Sequence, residues 1–385
     1  MASGLSMSYS ETQDWFGPCI ASRREAATVW ASEFGVEGRR MAVRLKDIAR
    51  DVGVSTVTVS KVLRGSKDVG EKTRQTILKR MKELNYQPNL MARALHSGKT
   101  HSVGMVVPDL VHPFFAEFAK SLSGSLRDTG RALILASSEE DPELEQKEIR
   151  ALLGRGIDVL LIASCQLKLK NFYNLGDEQT PYILVDRNFP YLNAHFVGCD
   201  DFKIGEMATR HLVEIGRKRI AHIGMQGSTT GIERLHGYRS VMSASQLHTP
   251  DEYVVMRERF EHASDAVGYE AMQRLLQLKP RPDAVFCYND LTAIGAMQAA
   301  LEAGLDIPNE IAFIGCGNFR YADYLRVPLS SIDQSTRELG VAAGRMALEL
   351  VEQPDQPPKS VVVETKLVVR ASSIATNPVQ TKDYP

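Results

Sequence analysis

No stretch of the chain is a continuous apolar run of the roughly 20 residues a bilayer-spanning helix needs, and residues 1 to 40 hold no signal-peptide core. A membrane partner is therefore not expected. The five cysteines, Cys19, Cys165, Cys199, Cys287 and Cys316, form no CxxC pair and have no histidine at metal-ligand spacing. That removes a zinc module and a disulfide framework and leaves free thiols of a reducing cytoplasm. Ser/His/Asp spacing, a phosphate-cradling glycine loop and a metal cluster are all missing, as are internal repeats and low-complexity tracts. No catalytic residue, no metal and no cofactor are assigned. Excess charge of one sign is absent too: 46 Lys and Arg stand against 47 Asp and Glu. With 43 % hydrophobic and 24 % charged residues over 385 positions, this is an ordinary soluble composition, long enough for two or three domains.

The charge that cancels overall does not cancel locally. From Met41 to Thr100 there are thirteen Lys or Arg and five Asp or Glu, the balance expected of a module that meets phosphates. In the same stretch, Leu45, Ile48, Ala49 and Val52 fall on one helical face. Gly53 then accepts the left-handed backbone of a sharp helix end. Ser55 stands where an N-cap belongs, before a second helix that buries Val59, Val62 and Leu63 and leaves Thr56, Val57, Ser60 and Lys61 on its other side. A third helix runs from Gly70 to Asn85 with Ile77, Met81 and Leu84 on one face. Pro88 to Gly98 follows as a short helical pattern ending on glycine. The first two helices read as a helix-turn-helix, with the second available to a DNA major groove; a plain helical hairpin is the alternative that the basic charge argues against.

The segments Lys46-Asp-Ile-Ala49, Gly53-Val-Ser55, Thr58-Val-Ser-Lys-Val-Leu63, Lys72-Thr-Arg74, Leu84-Asn-Tyr86, Pro88-Asn89 and Ala92-Arg-Ala-Leu95 resemble the LacI/GalR family of transcriptional repressors, and the likeness runs from about Val43 to about Ala371. It implies that the DNA-binding residues are Ser55, Thr56, Val57, Thr58, Ser60, Lys61 and Arg64 in the head and Asn89, Ala92, Arg93 and Leu95 in a hinge helix. That hinge is too short to be stable alone in water and is expected to fold on DNA, with Leu95 wedged into the minor groove. Val57 has no hydrogen bond to offer and is expected to read shape or a thymine methyl; Lys61 reaches a guanine edge or a phosphate. Two positions depart from the family. Arg44 replaces the usual Thr before the first helix, removing a cap worth about 1 kcal/mol, and Gly70 replaces a Ser before the third. Residues 1 to 40 lie outside the likeness and are expected to be a disordered or non-native leader, Met41 being the natural start.

From His101 the pattern changes to buried strands alternating with helices. Strands fall at 103–107, 132–136, 159–163, 181–185, 220–224, 253–256, 284–287 and 311–314, and helices at 114–128, 142–153, 203–215, 233–245, 264–276 and 291–302. Parallel sheets with helices on both faces follow. The fold class is thus an all-α helix-turn-helix head and hinge joined to an α/β, two-lobed, doubly wound core of the periplasmic-binding-protein type. The expected domains are a head at 41–87, a hinge and linker at 88–100, a two-lobed effector-binding and dimerisation core at 101–371 and a tail at 372–385. Within the core, lobe 1 takes about 101–198 and 335–363, and lobe 2 about 199–334 and 364–371; the resemblance places the crossings near 197–201, 332–335 and 364.

Ligands of such sheets sit at the carboxyl ends of the strands. There the chain offers Arg187, Arg234, Asn289, Asp290 and Gln334, with donors and acceptors suited to a vicinal diol, and His112, Phe114 and Phe115 beside them. Relatives use these positions for effectors, often sugars. Here His112 replaces a usual Asn, and Gly315-Cys-Gly-Asn318 lacks the usual carboxylate, Gly317 standing in its place. The resulting expectation is a cytoplasmic, nucleoid-associated homodimer that binds double-stranded operator DNA under control of a small-molecule effector, a sugar by resemblance. A solute-binding protein on the same two lobes is the alternative, opposed by the basic head; an enzyme is not expected. The tail from Ile374 is short, polar and without heptads, so a tetramer-forming coiled coil is not expected.

Overall fold

The computed structural model describes residues 43–63, 65–87, 98–166, 180–189, 191–257 and 264–374. The expectations placed on the leader, on Arg64 and on Asn89, Ala92, Arg93 and Leu95 fall outside the described residues. The chain divides into two compact units, Met1–Asn89 and Leu90–Pro385.

The first unit is a three-helix head: α1 Leu45–Val52, α2 Thr56–Leu63 and α3 Glu71–Glu83. The turn between α1 and α2 is built as its residues require. Gly53 adopts φ 71° and ψ 32°, and its N–H closes onto the carbonyls of Ala49 and Arg50. Ser55 Oγ accepts the Thr58 N–H at 3.1 Å, a side-chain cap on α2. Arg44 contributes no cap to α1; instead the Asp47 carboxylate accepts the Arg44 N–H at 2.9 Å, half of a capping box. Ile48, Ala49, Val59, Val62, Val69, Ile77 and Met81 form the buried core of the head, while Leu63 and Leu84 are only partly buried against it. The third helix is shorter at both ends than its Gly70-to-Asn85 reading, because Gly70 is its N-cap and Asn85 already has φ 48°.

The second unit holds two six-stranded sheets. Its elements in order are β1 Ser102–Val107, α4 Pro113–Arg127, β2 Ala132–Ser137, α5 Pro142–Leu153, β3 Val159–Ile162, β4 Tyr182–Val185, β5 His195–Gly198, α6 Asp201–Glu214, β6 Ile220–Met225 and α7 Thr229–Ala244. There follow β7 Val254–Arg257, α8 Ser264–Leu276, β8 Ala284–Cys287, α9 Asp290–Glu302, β9 Ala312–Cys316, β10 Ser330–Asp333, α10 Thr336–Glu352, β11 Ser360–Val362 and β12 Lys366–Val368. The first sheet has the order β11-β5-β4-β3-β1-β2 and is parallel throughout. The second has the order β12-β10-β9-β8-β6-β7 and is parallel except for β12, which runs antiparallel to β10. The two-lobed, doubly wound reading is therefore the observed fold, and the chain passes between sheets three times. Four strands and one helix were not read from the pattern: β5, β10, β11, β12 and the 17-residue α10. The three-residue β11 and β12 are too short and too exposed to show a period.

Two helix pairs come into backbone contact at paired glycines. A Cβ on Gly205 of α6 would stand 2.1 Å from the Arg234 carbonyl oxygen of α7, and one on Gly237 of α7 would stand 2.1 Å from that of Phe202. In the same way Gly268 of α8 faces the Thr292 carbonyl oxygen at 1.9 Å, and Gly295 of α9 faces that of Asp265 at 1.8 Å. Among the described residues no helix is long and apolar enough to cross a membrane.

Gly295→Ala forces α9 off α8 and is expected to destabilise the core by about 1–3 kcal/mol, read as a melting temperature lower by several degrees; an unchanged melting temperature would contradict the close approach.

Candidate functional site

Two surfaces carry the site residues read from the sequence. On the head, α2 turns Thr56 and Val57 fully outward; Val57 is 60 % exposed, an apolar side chain left in water beside a basic surface. Thr58, Ser60 and Lys61 are half-buried. Ser55 is spent on the α2 cap and also meets Thr58 Oγ1 at 2.9 Å. Lys61 Nζ lies 3.3 Å from Asp68 Oδ2, and its ammonium draws that carboxyl below its ordinary range. In the head alone Lys61 is thus held by an acidic neighbour rather than free in solvent. Two further cations are tied inside the head: Arg80 bridges Asp51 and Glu83, and Arg74 donates to the Ser66 carbonyl.

In the second unit a cavity of about 390 Å³ opens where strands of both sheets end. It brings together His112, Phe114, Phe115, Arg187, Arg234, Asn289 and Gln334, seven of the eight residues proposed for it. The eighth, Asp290, is not in the lining. It is fully buried, its Oδ1 accepts from Ser331 Oγ at 2.6 Å and its Oδ2 from the Phe319 N–H at 2.9 Å. Asp290 ties the loop after β9 to α9; burial pushes it up to about 6 against those hydrogen bonds. The expected role as a ligand acceptor is therefore corrected to a brace beneath the wall.

Both arginines of the lining already have partners. Arg187, directly after β4, meets both oxygens of Glu140 at 2.9 and 2.6 Å and the Ser164 carbonyl at 3.1 Å. Arg234, on α7, meets Asp201 at 2.8 Å and the Tyr288 carbonyl at 2.7 Å, and its guanidinium lies 4.7 Å from the centre of the Tyr288 ring. The sequence reading missed Glu140 and Asp201 as their partners, and also missed Asp186, Tyr288 and Phe319 in the lining. The signal for Asp186 was its place beside Arg187 at a strand end. Glu140 belongs to a turn that Glu139 and Glu140 enter at φ 48° and 55°, where no helix or strand period marks a side chain's direction.

His112 is the N-cap residue of α4, and its ring reaches Phe319 edge-on at 5.5 Å and Phe115 at 5.7 Å. Its hydrogen bonding follows from its neighbour. Asn289 caps α9, its Oδ1 accepting the Thr292 N–H at 2.8 Å, so its Nδ2 is the atom 3.2 Å from His112 Nε2. An amide NH2 only donates, so Nε2 accepts and the proton of the neutral ring sits on Nδ1. That Nδ1 is buried without a partner. Burial, with Arg187 assisting and Glu140 opposing, pushes His112 from 6.5 down to about 4.

Gly317 has φ 129°, and a Cβ there would fall 2.5 Å from the Phe319 ring. An aromatic wall occupies the place where relatives were expected to carry an acid. Among the described residues no group of His, Cys, Asp and Glu is arranged to hold a metal, and Cys165, Cys199, Cys287 and Cys316 are buried and free.

Both units of the chain have counterparts in known proteins. Residues 44–89 match the model of bacterial regulatory proteins of the lacI family, and residues 209–373 match that of a periplasmic binding protein-like domain. The HTH-type transcriptional repressor PurR of Mannheimia succiniciproducens is 32 % identical over 335 residues, spanning 85 % of this chain and 98 % of that protein. The chain belongs to the LacI family. Among solved structures, the transcriptional regulator CelR–cellobiose complex is 28 % identical with a TM-score of 0.65, covering 86 % of this chain and 100 % of that one. The Lac repressor dimer bound to operator and the anti-inducer ONPF shares the fold at a TM-score of 0.78 and 22 % identity, over 87 % of this chain and 100 % of that one. Four positions expected from the resemblance to differ, Arg44, Gly70, His112 and Gly317, have the local structural surroundings given above.

The His112 ring gives a pH test. The unfolded chain takes its proton near 6.5, the folded one only near 4. The stabilising contribution is therefore present above pH 6.5 and is lost as pH falls through the folded value. At about pH 5 the loss is about 2 kcal/mol. His112→Asn is expected to show a smaller drop in melting temperature from about pH 7 to about pH 5 than the parent protein; equal drops would contradict the assignment.

Proposed function

We propose that the chain is a sequence-specific DNA-binding transcriptional repressor, acting as a cytoplasmic homodimer, whose operator binding is set by a small molecule in the cavity between the two lobes. The observation that carries the DNA reading is the outward face of α2: Thr56 and the 60 % exposed Val57, on a unit with a strong excess of cations. Phosphates supply affinity to such a surface, and the groove edges supply choice. In this reading Val57 meets a thymine methyl and Lys61 leaves Asp68 for a base edge or a phosphate. Ser55, Thr58, Ser60 and Arg64 support the contact with the backbone. Asn89, Ala92 and Arg93 form the hinge, and Leu95 opens one base step at the operator centre.

The cavity supports the regulatory half. Its lining comes from residues following strands of both sheets, His112 and Arg187 from the first, Arg234 and Asn289 from the second. A ligand touching both sets favours one relative position of the lobes, and only a difference in affinity between positions can shift the balance of DNA-competent molecules. His112, Phe114, Phe115, Arg187, Arg234, Asn289 and Gln334 are its proposed contacts, and a sugar is the proposed chemical type.

Selection of operators from random duplex DNA, with and without a sugar panel, tests the whole reading. A pseudo-palindrome with a central pyrimidine–purine step is expected, and binding should fall by orders of magnitude from low to moderate salt. Absence of any enriched sequence would remove the DNA reading and favour a solute-binding protein. On the selected site, Lys61→Ala is expected to weaken binding by about 1–3 kcal/mol if it reads a base, or to lower the salt slope by about one if it meets a phosphate; neither change would exclude Lys61 from the interface.

A further inference from the structure

The lining of the cavity is acidic. Among the described residues it contains two guanidinium groups, Arg187 and Arg234, no lysine, and four carboxylates, Asp109, Glu139, Glu140 and Asp186. The charge of each guanidinium is already met by a carboxylate. Arg187 is 5 % exposed and its two terminal nitrogens each donate to one oxygen of Glu140. Arg234 is 3 % exposed and doubly bonded to Asp201, a carboxylate behind the lining. Asp186, adjacent to Arg187 in the chain, then stands in the lining as a further acid. A bidentate Arg–carboxylate pair has used the fork geometry by which arginine would otherwise recognise a phosphate or a carboxylate.

What the cavity still offers is hydrogen bonding without net charge to give. Two buried N–H groups on its lining residues, His112 Nδ1 and Arg187 Nε, have no partner. They call for acceptor oxygens. The carboxylates call for donors. Hydroxyl groups meet both demands, being donor and acceptor at once. Phe114, Phe115, Phe319 and Tyr288 give the same cavity an aromatic side, which an apolar sugar face would cover.

We propose that the cavity takes an uncharged, hydroxyl-bearing ligand and rejects its phosphorylated or carboxylated counterparts, because Glu140 and Asp201 have already neutralised its two arginines. This rests on the reading of the cavity as the effector site and narrows the ligand. An entering anion would lose its water, find no unpaired cation, and face Asp186 and Glu139. Glu140 is the gate: with it removed, Arg187 becomes a free, buried cation at the cavity wall.

The test uses the full chain and three anionic probes, inorganic phosphate, glucose 6-phosphate and gluconate, measured by calorimetry and by thermal shift against chloride at equal ionic strength. Wild type is expected to show no saturable binding. Glu140→Gln is expected to bind at least one of the three, about ten-fold or more tighter than wild type. Asp186→Asn, which takes a more distant carboxylate away from both arginines and leaves Glu140 and Asp201 in place, is expected to move in the same direction by less, and it keeps the test open should Glu140→Gln fail to fold. Saturable anion binding by wild type, abolished by Arg187→Met, would overturn the proposal. So would anion binding that stays absent in both variants, since the carboxylates would then not be what excludes anions. No DNA enters these measurements, so their failure is distinct from a failure of the operator selection.

Discussion

The buried guanidinium of Arg234 joins three parts of the second lobe. It lies on α7, bonds Asp201 at the start of α6, and caps the last carbonyl of the β8 strand region at Tyr288. Asp201 opens the first element after the chain leaves the first sheet. The same helix pair is in glycine-to-carbonyl contact at Gly205 and Gly237, and that closeness is what sets the guanidinium beside its acid. Breaking one partner of such a pair leaves a buried charge uncompensated, at about 3–5 kcal/mol. Substitution of Arg234 would therefore unsettle the lobe together with any ligand contact, and a lost effector response would not by itself locate the ligand there. Glu140 stands in a turn, and Arg187 follows a strand end, so that pair is the better place to separate recognition from folding.

The departures at His112 and Gly317 are one arrangement. Phe319 occupies the space a side chain at 317 would need, and its ring is the edge-on neighbour of His112. His112 in turn accepts from Asn289, whose own orientation is fixed by its cap on α9. A larger residue at 317 would displace Phe319, and a smaller one at 112 would remove its neighbour. Asp290 braces the same loop from behind through the Phe319 N–H and Ser331. An aromatic ring fills the space beside Gly317, and the four carboxylates of the lining, Asp109, Glu139, Glu140 and Asp186, all come from segments that follow strands of the first sheet.

The strongly periodic elements were legible in the sequence because burial on one face leaves a period. α5 and α8 occupy the same residues in the reading and in the structure, Pro142–Leu153 and Ser264–Leu276. Gly53 and Ser55 declared the turn of the head because the left-handed residue and the cap are local requirements. The longest helix, α10, went unread although Leu339, Ala343, Met346, Ala347 and Leu350 are buried along it; its Gly340 and Gly344 pack against α4 in place of apolar side chains, which blurs the stripe. The cavity was legible as a set of strand-end residues but not as a charge balance. Glu140 and Asp201 are separated in sequence from the arginines they neutralise by 47 and 33 positions, and no spacing rule links them. Asp290 looked like a ligand group for the same reason: a strand-end acid points to the cavity or away from it according to which loop folds over it.

Charge is also what separates the two units. Residues 1–89 net +5 and the chain nets −1, so residues 90–385, at −6, are an acidic body. Duplex DNA attracts the first and repels the second, over a distance set by salt. That polarity confines phosphate contact to the head and leaves the acidic body unfavourable for indiscriminate DNA binding. The cavity lies in the acidic body and keeps its sign, with both of its cations answered by internal acids. If the cavity is the effector site proposed above, its acids keep free anions out, and an uncharged ligand acts there at its own concentration.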